Sequence, residues 1–257
     1  MKALRRLTLI VGFAFLFAPM VTIAIFSFYK DSYLTFPPRG WTTDWYGWLF
    51  TKGEFLASLK TSLLLGATAT ALSTLFGVPA AFALVRGRFV GRGILEGILL
   101  SPLILPAVIF GVGLLLFFSS LKIRPDFTTL VIGHLVITIP FVTRNVMVSI
   151  TGIPSHVEEA ALGLGAPPWR TFLRVVLPLI MPGIGAGAML AFLISFDELA
   201  MTIFISSPST VTLPLRIFTY VEWHLDPGIA ALSTMLTLAT VGLLVAMDRL
   251  RGPEHLF

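Results

Sequence analysis

The stretch VEEAALGLGAPPWRTFLRVVLPLIMPG, residues 157–183, decides the fold. It interrupts an overwhelmingly apolar chain with two glutamates, two arginines and adjacent prolines. Just upstream, Ser155 and Glu158 have the S-x-x-E spacing of a capping box, which predicts a short helix after Pro154. In that helix Val157, Ala160, Ala161 and Leu164 recur at i, i+3, i+4 and i+7, giving one apolar face. Gly165 is placed to end it in the left-handed conformation. Pro167 and Pro168 bar its continuation and open a second helix. There Trp169, Phe172, Leu173 and Val176 repeat the apolar spacing, while Arg170 and Arg174 stand one turn apart on another face. Pro178 and Pro182 mark the return to apolar sequence. Residues 154–178 therefore read as helix, sharp turn, helix, a form suited to docking rather than to mere linkage.

The surroundings say where such an element sits. Of 257 residues 56% are hydrophobic and 12% charged, and the mean hydropathy is +0.93, outside the range of soluble domains. A helix crosses the hydrocarbon with about 20 apolar residues. Six runs qualify, at about residues 7–29, 61–85, 97–119, 129–150, 183–205 and 228–247. The first is too long for a signal-peptide core and lacks a small-x-small cleavage site, so it reads as an uncleaved anchor. Period-2 alternation is absent, which argues against a membrane barrel. Pro79, Pro102, Pro106 and Pro140 fall within runs, where neighbouring helices satisfy the freed backbone groups. The expectation is an all-α integral membrane protein of six spans.

Lysine and arginine set the orientation. With the N-terminus inside, eleven of the eighteen basic residues are cytoplasmic, Lys2, Arg5, Arg6, Arg86, Arg88, Arg92, Arg144, Arg170, Arg174, Arg249 and Arg251 among them. The loop at 154–178 then lies in the cytoplasm, as do both termini. Trp41, Trp45, Tyr46 and Trp48 fall in the first outer loop, as an aromatic belt or a binding box. The chain has no cysteine, so a disulfide scaffold and a Cys-ligated metal are excluded. Its charge of +5 is not gathered into a basic stripe with interleaved aromatics, so no nucleic-acid partner is expected. No metal site is expected either.

Glu159-Ala160-Ala161, three residues, Gly165, nine residues, then Val175-x-Leu177-Pro178 resembles the EAA loop of ABC importer permeases, E-A-A-x3-G-x9-I-x-L-P, with Val in place of Ile. Its position before the penultimate span also fits that family. The resemblance implies the type I importer fold, with this loop as the coupling helix-turn-helix that docks on a cytoplasmic ATPase through Glu158, Glu159, Ala160, Ala161, Gly165, Trp169, Arg170, Leu177 and Pro178. It further implies a non-catalytic translocation subunit partnered by an ATPase dimer, a second permease half forming a heterodimeric pore, and an external solute-binding protein. The expected location is a bacterial inner membrane. The chain itself has no G-x-x-x-x-G-K-[ST] loop to cradle nucleotide phosphates. ATP and Mg belong, on this resemblance, to the partner ATPase, and no cofactor is expected in this chain.

The segments FLISFDELAMTIFISSPSTVTLPLRIFTY, from Phe192, and DPGIAALSTML, from Asp226, resemble the polyamine-type branch of these permeases, similar to the C-type subunit of spermidine/putrescine importers. That branch also includes carriers of aminobutyrate, opines and aminoethylphosphonate. Asp197 and Glu198 fall inside the fifth expected span, where an ionised side chain costs at least ~2.5 kcal/mol at mid-membrane. Ser195, Glu198 and Thr202 at i, i+3 and i+7 would form a polar stripe along a substrate path, with Asp197 about 100° away. These acids are either pathway carboxylates for a cation or interhelical clamps. Tyr220, Glu222, Trp223 and Asp226 are candidates for outer contacts with substrate or binding protein, or for interfacial anchoring. His134 reads as a proton relay or as a packed, hydrogen-bonded histidine; Arg144 and Asn145 read as interface anchors. Gly185, Gly187 and Ala188 allow close helix packing.

Two rivals from other classes are weighed against this. An ion-coupled secondary transporter would use Asp197, Glu198 or His134 as its protonation site, but leaves the cytoplasmic loop unexplained. A membrane hydrolase would need a base beside a nucleophile, and Ser195 with Glu198 has no histidine within sequence reach.

Overall fold

The computed structural model describes residues 2–31, 37–224 and 226–251; the side chains of residues 2–4 and 243–251, including Lys2, Arg249 and Arg251, lie outside the described residues. The described chain is helical, and its one extended feature is an isolated antiparallel bridge between Tyr29 and Trp41. The helices are α1 (Lys2–Phe26), α2 (Asp44–Thr51), α3 (Gly53–Arg86), α4 (Arg92–Leu100), α5 (Ala107–Ser120), α6 (Phe127–Thr151), α7 (Ser155–Gly163), α8 (Pro168–Thr171), α9 (Leu177–Asp197), α10 (Thr202–Ile205), α11 (Leu213–Trp223) and α12 (Pro227–Arg251).

Among the described residues, four helical runs are long and apolar enough to cross a membrane: Arg5–Phe26, Gly53–Arg86, Phe127–Thr151 and Pro168–Asp197. The third expected span is not one straight helix. Arg92–Leu103 and Ala107–Ser120 meet at 105°. The cause is local: Pro102 lacks a donor within a 3-10 turn, Ser101–Leu103, and Pro106 stands at φ −60°, ψ 134° as the residue before α5. The sixth expected span lies on α12, whose apolar stretch Pro227–Gly242 runs into positions outside the described side chains.

The chain divides into two compact units, residues 57–216 and residues 1–56 with 217–257. In the first, α6 is the hub. An Asp126–Thr129 capping box starts it: Oδ1 of Asp126 accepts from the Thr129 amide at 2.8 Å, and the Thr129 hydroxyl accepts from the Asp126 amide at 2.9 Å. Towards one end, Val142, Val146 and Ile150 of α6 are fully buried against Val78 and Ala81 of α3 and Ile180 and Ala191 of α9. Towards the other, Leu130, Val131 and Ile137 pack with Leu65, Phe118, Met201 and Ile205. Gly187 lies against Val142, whereas nothing lies near Gly185. Between membrane helices lipid is as apolar as leucine, so such a core is held by close packing and by polar pairs. One pair is Ser73 on α3 with Thr138 on α6, hydroxyl to hydroxyl at 2.7 Å and buried.

In the second unit α1 packs along α12. The Trp45 indole donates to the Tyr29 carbonyl at 2.8 Å, and the Ser27 hydroxyl meets that of Tyr46 at 2.7 Å. These bonds tie α2 back to the end of α1. The flank of α1 is bare, with Phe15 79% exposed, which lipid rather than water would solvate.

Candidate functional site

The loop at 154–178 forms a helix, a turn and a second helical start, with two corrections to the expected details. First, the Ser155/Glu158 capping box is absent. Pro154 precedes α7 and no side chain caps it, because Ser155 is already helical and Glu158 has a stronger partner. The Arg86 guanidinium, at the last residue of α3, donates from Nε to Glu158 Oε1 at 2.9 Å, and its Nη2 lies 2.8 Å from the same oxygen. Nη2 also donates to the Ile153 carbonyl at 2.9 Å and the Ile150 carbonyl at 3.4 Å. A cation thus sits on carbonyls at and just beyond the end of α6, where the helix dipole favours one. Second, α8 does not stop before the fifth span. A π-helical turn, Phe172–Val176, carries it into α9, with the Leu177 amide donating to the Phe172 carbonyl, and the path from Pro168 to Asp197 is one 30-residue helical run. The wider turn comes just before Pro178, which has no amide to give.

The turn between α7 and α8 is a Schellman motif. Gly165 has φ +83°, its amide donates to the Leu162 carbonyl at 2.9 Å, and the Ala166 amide donates to Ala161 at 3.2 Å. The expected apolar face of α7 is split: Val157 and Ala161 turn inward, and Val157 packs on the core with Phe172 and Leu177, whereas Ala160 and Leu164 face out. Leu164 is 90% exposed and Trp169 61%, with Leu162 and Leu173 also exposed. Glu159 is exposed as well, and the Arg170 guanidinium lies 5.2 Å from the Trp169 ring centre. The loop therefore exposes several large apolar side chains with charged ones among them.

The expected stripe on the fifth span is not formed. Helix α9 ends at Asp197, and Glu198 is extended at φ −69°, ψ 114°. Glu198 Oε1 accepts from the Met201 amide at 2.7 Å, and the Glu198 carbonyl accepts from the Thr202 hydroxyl at 2.9 Å, so this residue braces the turn that leads into α10. Across the break, Ser195 and Thr202 converge instead on His134 of α6, fully buried. Nδ1 of His134 is 2.8 Å from the Ser195 hydroxyl and Nε2 is 3.2 Å from that of Thr202. Asp197 is exposed at the end of α9, and Glu198 is half-buried.

Near α11 and α12, the Tyr220 hydroxyl donates to Asp226 Oδ2 at 2.6 Å, and Asp226 Oδ1 accepts from the Gly228 amide at 2.9 Å. Asp226 thereby caps α12 and orients Tyr220. Partial burial, and then the hydrogen bond and charge of Asp226, raise the Tyr220 phenol above its ordinary value. Glu222 is exposed and Trp223 is 83% exposed. Among the described residues no group of three His, Asp or Glu is placed to hold a metal. Arg86, read from sequence only as one of the inside charges, was the residue missed. Its signal was weak: one of three arginines near a helix end, with its partner 72 residues away.

Comparison with known proteins follows from this geometry. Residues 73–252 match the family described as binding-protein-dependent transport system inner membrane component. The chain is 35% identical over 246 residues to the putrescine transport system permease protein PotI of Escherichia coli K12, covering 93% of this chain and 87% of that one. It is 31% identical over 245 residues to the spermidine/putrescine permease PotC of the same organism, covering 93% and 92%. PotC of Haemophilus influenzae is 32% identical over 243 residues, covering 94% of each. Among solved structures, a bacterial ABC transporter involved in import of the acidic polysaccharide alginate superposes with TM-score 0.75 at 16% identity, over 100% of this chain and 96% of that one. The methionine transporter MetNI gives 0.62 at 19%, over 79% and 95%. At those identities the superpositions speak for the fold alone, that of the type I importer permeases. Family match and fold meet on the same residues: the chain belongs to the inner membrane components of binding-protein-dependent transport systems, the ABC importer permeases.

Proposed function

We propose that this chain is one half of the translocation pore of an ATP-driven importer of polyamines, putrescine or spermidine. The observation that carries this reading is its 35% and 31% identity, across more than nine-tenths of the chain, to permeases named for those solutes. Both termini and the loop at 154–178 lie in the cytoplasm of a bacterial cell, in accord with the bias of arginine and lysine. The exposed patch of Leu162, Leu164, Trp169 and Leu173, with Glu159 and Arg170 beside it, docks on an ATPase subunit that holds ATP and Mg.

A second permease completes the pore, and an external binding protein delivers the solute. Closure of the ATPase dimer pulls α7, and the Arg86–Glu158 bridge passes that pull to the end of α3. The continuous path from Pro168 carries it along α9 to the break at Glu198. There Asp197 and Glu198 offer carboxylates to a passing cation, while Ser195 and Thr202, engaged by His134, hold the two sides of the break together. The chain supplies differential binding between two conformations and no covalent chemistry.

The test is reconstitution with the ATPase, the second permease and the binding protein in liposomes. Uptake of labelled putrescine that requires ATP supports the reading. Uptake by this chain alone, driven by a proton gradient, would overturn it.

A further inference from the structure

We infer that Trp48, Tyr220 and Asp226 form the wall of an alkylammonium-binding seat whose aromatic face is engaged in this structure by the chain's own Lys52. The cavity, of about 410 Å³, is lined by Trp45, Trp48, Lys52, Phe55, Tyr220 and Asp226, together with Glu54 and His224. That volume lies within the ~300–1,000 Å³ of small-molecule sites.

Four observations specify its ligand. The Trp48 ring plane is fixed by steeply inclined neighbours: Trp45 at 5.9 Å and 77°, Tyr220 at 5.9 Å and 64°, and Phe55 at 6.0 Å and 55°. Tyr220 is itself held, stacked on His224 at 4.4 Å and bonded to Asp226. The ammonium of Lys52 lies 5.5 Å from the Trp48 ring centre, within the ~6 Å at which a ring attracts a cation. Last, the wall carries carboxylates. Each Asp226 oxygen accepts one bond, from Tyr220 or from the Gly228 amide, and a carboxylate oxygen has a second lone pair to offer. A rigid aromatic face with an acid beside it selects a primary ammonium on an apolar stem.

The tight fit of α12 against this wall supports a built site. A Cβ on Gly228 would stand 2.8 Å from both Trp48 and Asp226 Oδ1. Only glycine lets the helix start so close to the ring.

Lys52 is exposed and held to the seat by the ring interaction. Its four-carbon stem and terminal ammonium are the chemical outline of a monoprotonated aminoalkane. It is a tethered competitor for the Trp48 face, which an incoming alkylammonium displaces. Making this seat the importer's outer waiting site rests on the function proposed above; its chemistry does not.

The experiment uses the full chain in lipid nanodiscs, without ATPase or binding protein, and equilibrium dialysis of labelled putrescine and n-butylammonium, with 1,4-butanediol as the uncharged control. Lys52→Met should tighten both ammonium ligands by about two- to five-fold, the worth of one exposed cation–ring contact. Lys52→Arg, which keeps a competing cation, should leave affinity near the wild type. Asp226→Asn keeps the helix cap and loses the charge, and should weaken binding; Trp48→Leu should abolish the Lys52→Met gain. Unchanged or weaker binding in Lys52→Met, no detectable binding in that variant, or equal binding of butanediol overturns the seat. Parallel uptake assays separate the two readings. Ammonium binding that tightens in Lys52→Met without any polyamine uptake retains the seat and removes the polyamine function; intact uptake with no Lys52→Met effect does the reverse.

Discussion

Breaking the Arg86–Glu158 bridge should loosen α7 without unfolding the helices that cross the membrane. The guanidinium makes one ion pair and two bonds to helix-end carbonyls, and the two side chains are 26% and 19% exposed. A hydrogen bond to a charged group contributes about 1.5–3 kcal/mol when shielded, and an exposed pair contributes ~0–1 kcal/mol. For a pair one-fifth to one-quarter exposed, about 2 kcal/mol is the working figure for the tether. That is roughly a 30-fold change in the opening equilibrium of α7, at a factor of ten per ~1.4 kcal/mol.

Native-state hydrogen exchange of the α7 amides reads this opening directly. Glu158→Gln should speed their exchange by roughly 30-fold. Arg86→Met should do more, because it strands a half-buried carboxylate and also removes the bond to the Ile153 carbonyl. Arg86→Lys, a charge without the planar fork, should fall between wild type and Arg86→Met. The double variant should exchange no faster than Arg86→Met alone, since the second change has no bridge left to break. Full additivity of the two single effects, or wild-type exchange in Arg86→Met, would refute the tether.

Four other outcomes are expected. Gly165→Pro and Glu159→Lys should abolish ATP-coupled uptake at normal membrane levels, since neither residue lies in a span and Gly165 at φ +83° ends α7; normal uptake in both removes the docking assignment. Glu198→Gln keeps an oxygen for the Met201 amide and loses the charge, so uptake of a dication should fall while detergent melting is unchanged; unaltered uptake returns Glu198 to a bracing role alone. His134→Leu leaves the Ser195 hydroxyl without its ring partner and should lower stability by about 1–3 kcal/mol, read as a lower melting temperature. Tyr220 has its folded pKa above the ordinary value of 10.0, so its bond to Asp226 is intact below that pH and lost as pH rises beyond it; wild type should lose stability relative to Tyr220→Phe above about pH 10, and parallel alkaline melting curves would contradict this.

What was legible in the sequence was whatever a local rule controls. Long apolar runs gave four helices long enough to cross a membrane, Gly165 gave the left-handed turn, and adjacent prolines gave the start of α8. The failures share a physical cause, competition from partners distant in sequence. Ser155 and Glu158 satisfied the capping pattern, yet an arginine 72 residues away outbid the local amide for the carboxylate. Ser195, Glu198 and Thr202 matched a helical stripe, yet the chain breaks after Asp197. A break inside a membrane costs several unsatisfied backbone groups unless side chains take them up. Here Glu198 takes the Met201 amide, Thr202 bonds the Glu198 carbonyl, and His134, 61 and 68 residues away, engages the hydroxyls on either side. Periodicity cannot report that, because a broken helix and a continuous one leave the same apolar pattern in sequence. The polar residues that looked like the lining of a path are therefore, in part, what makes the interrupted helix tolerable.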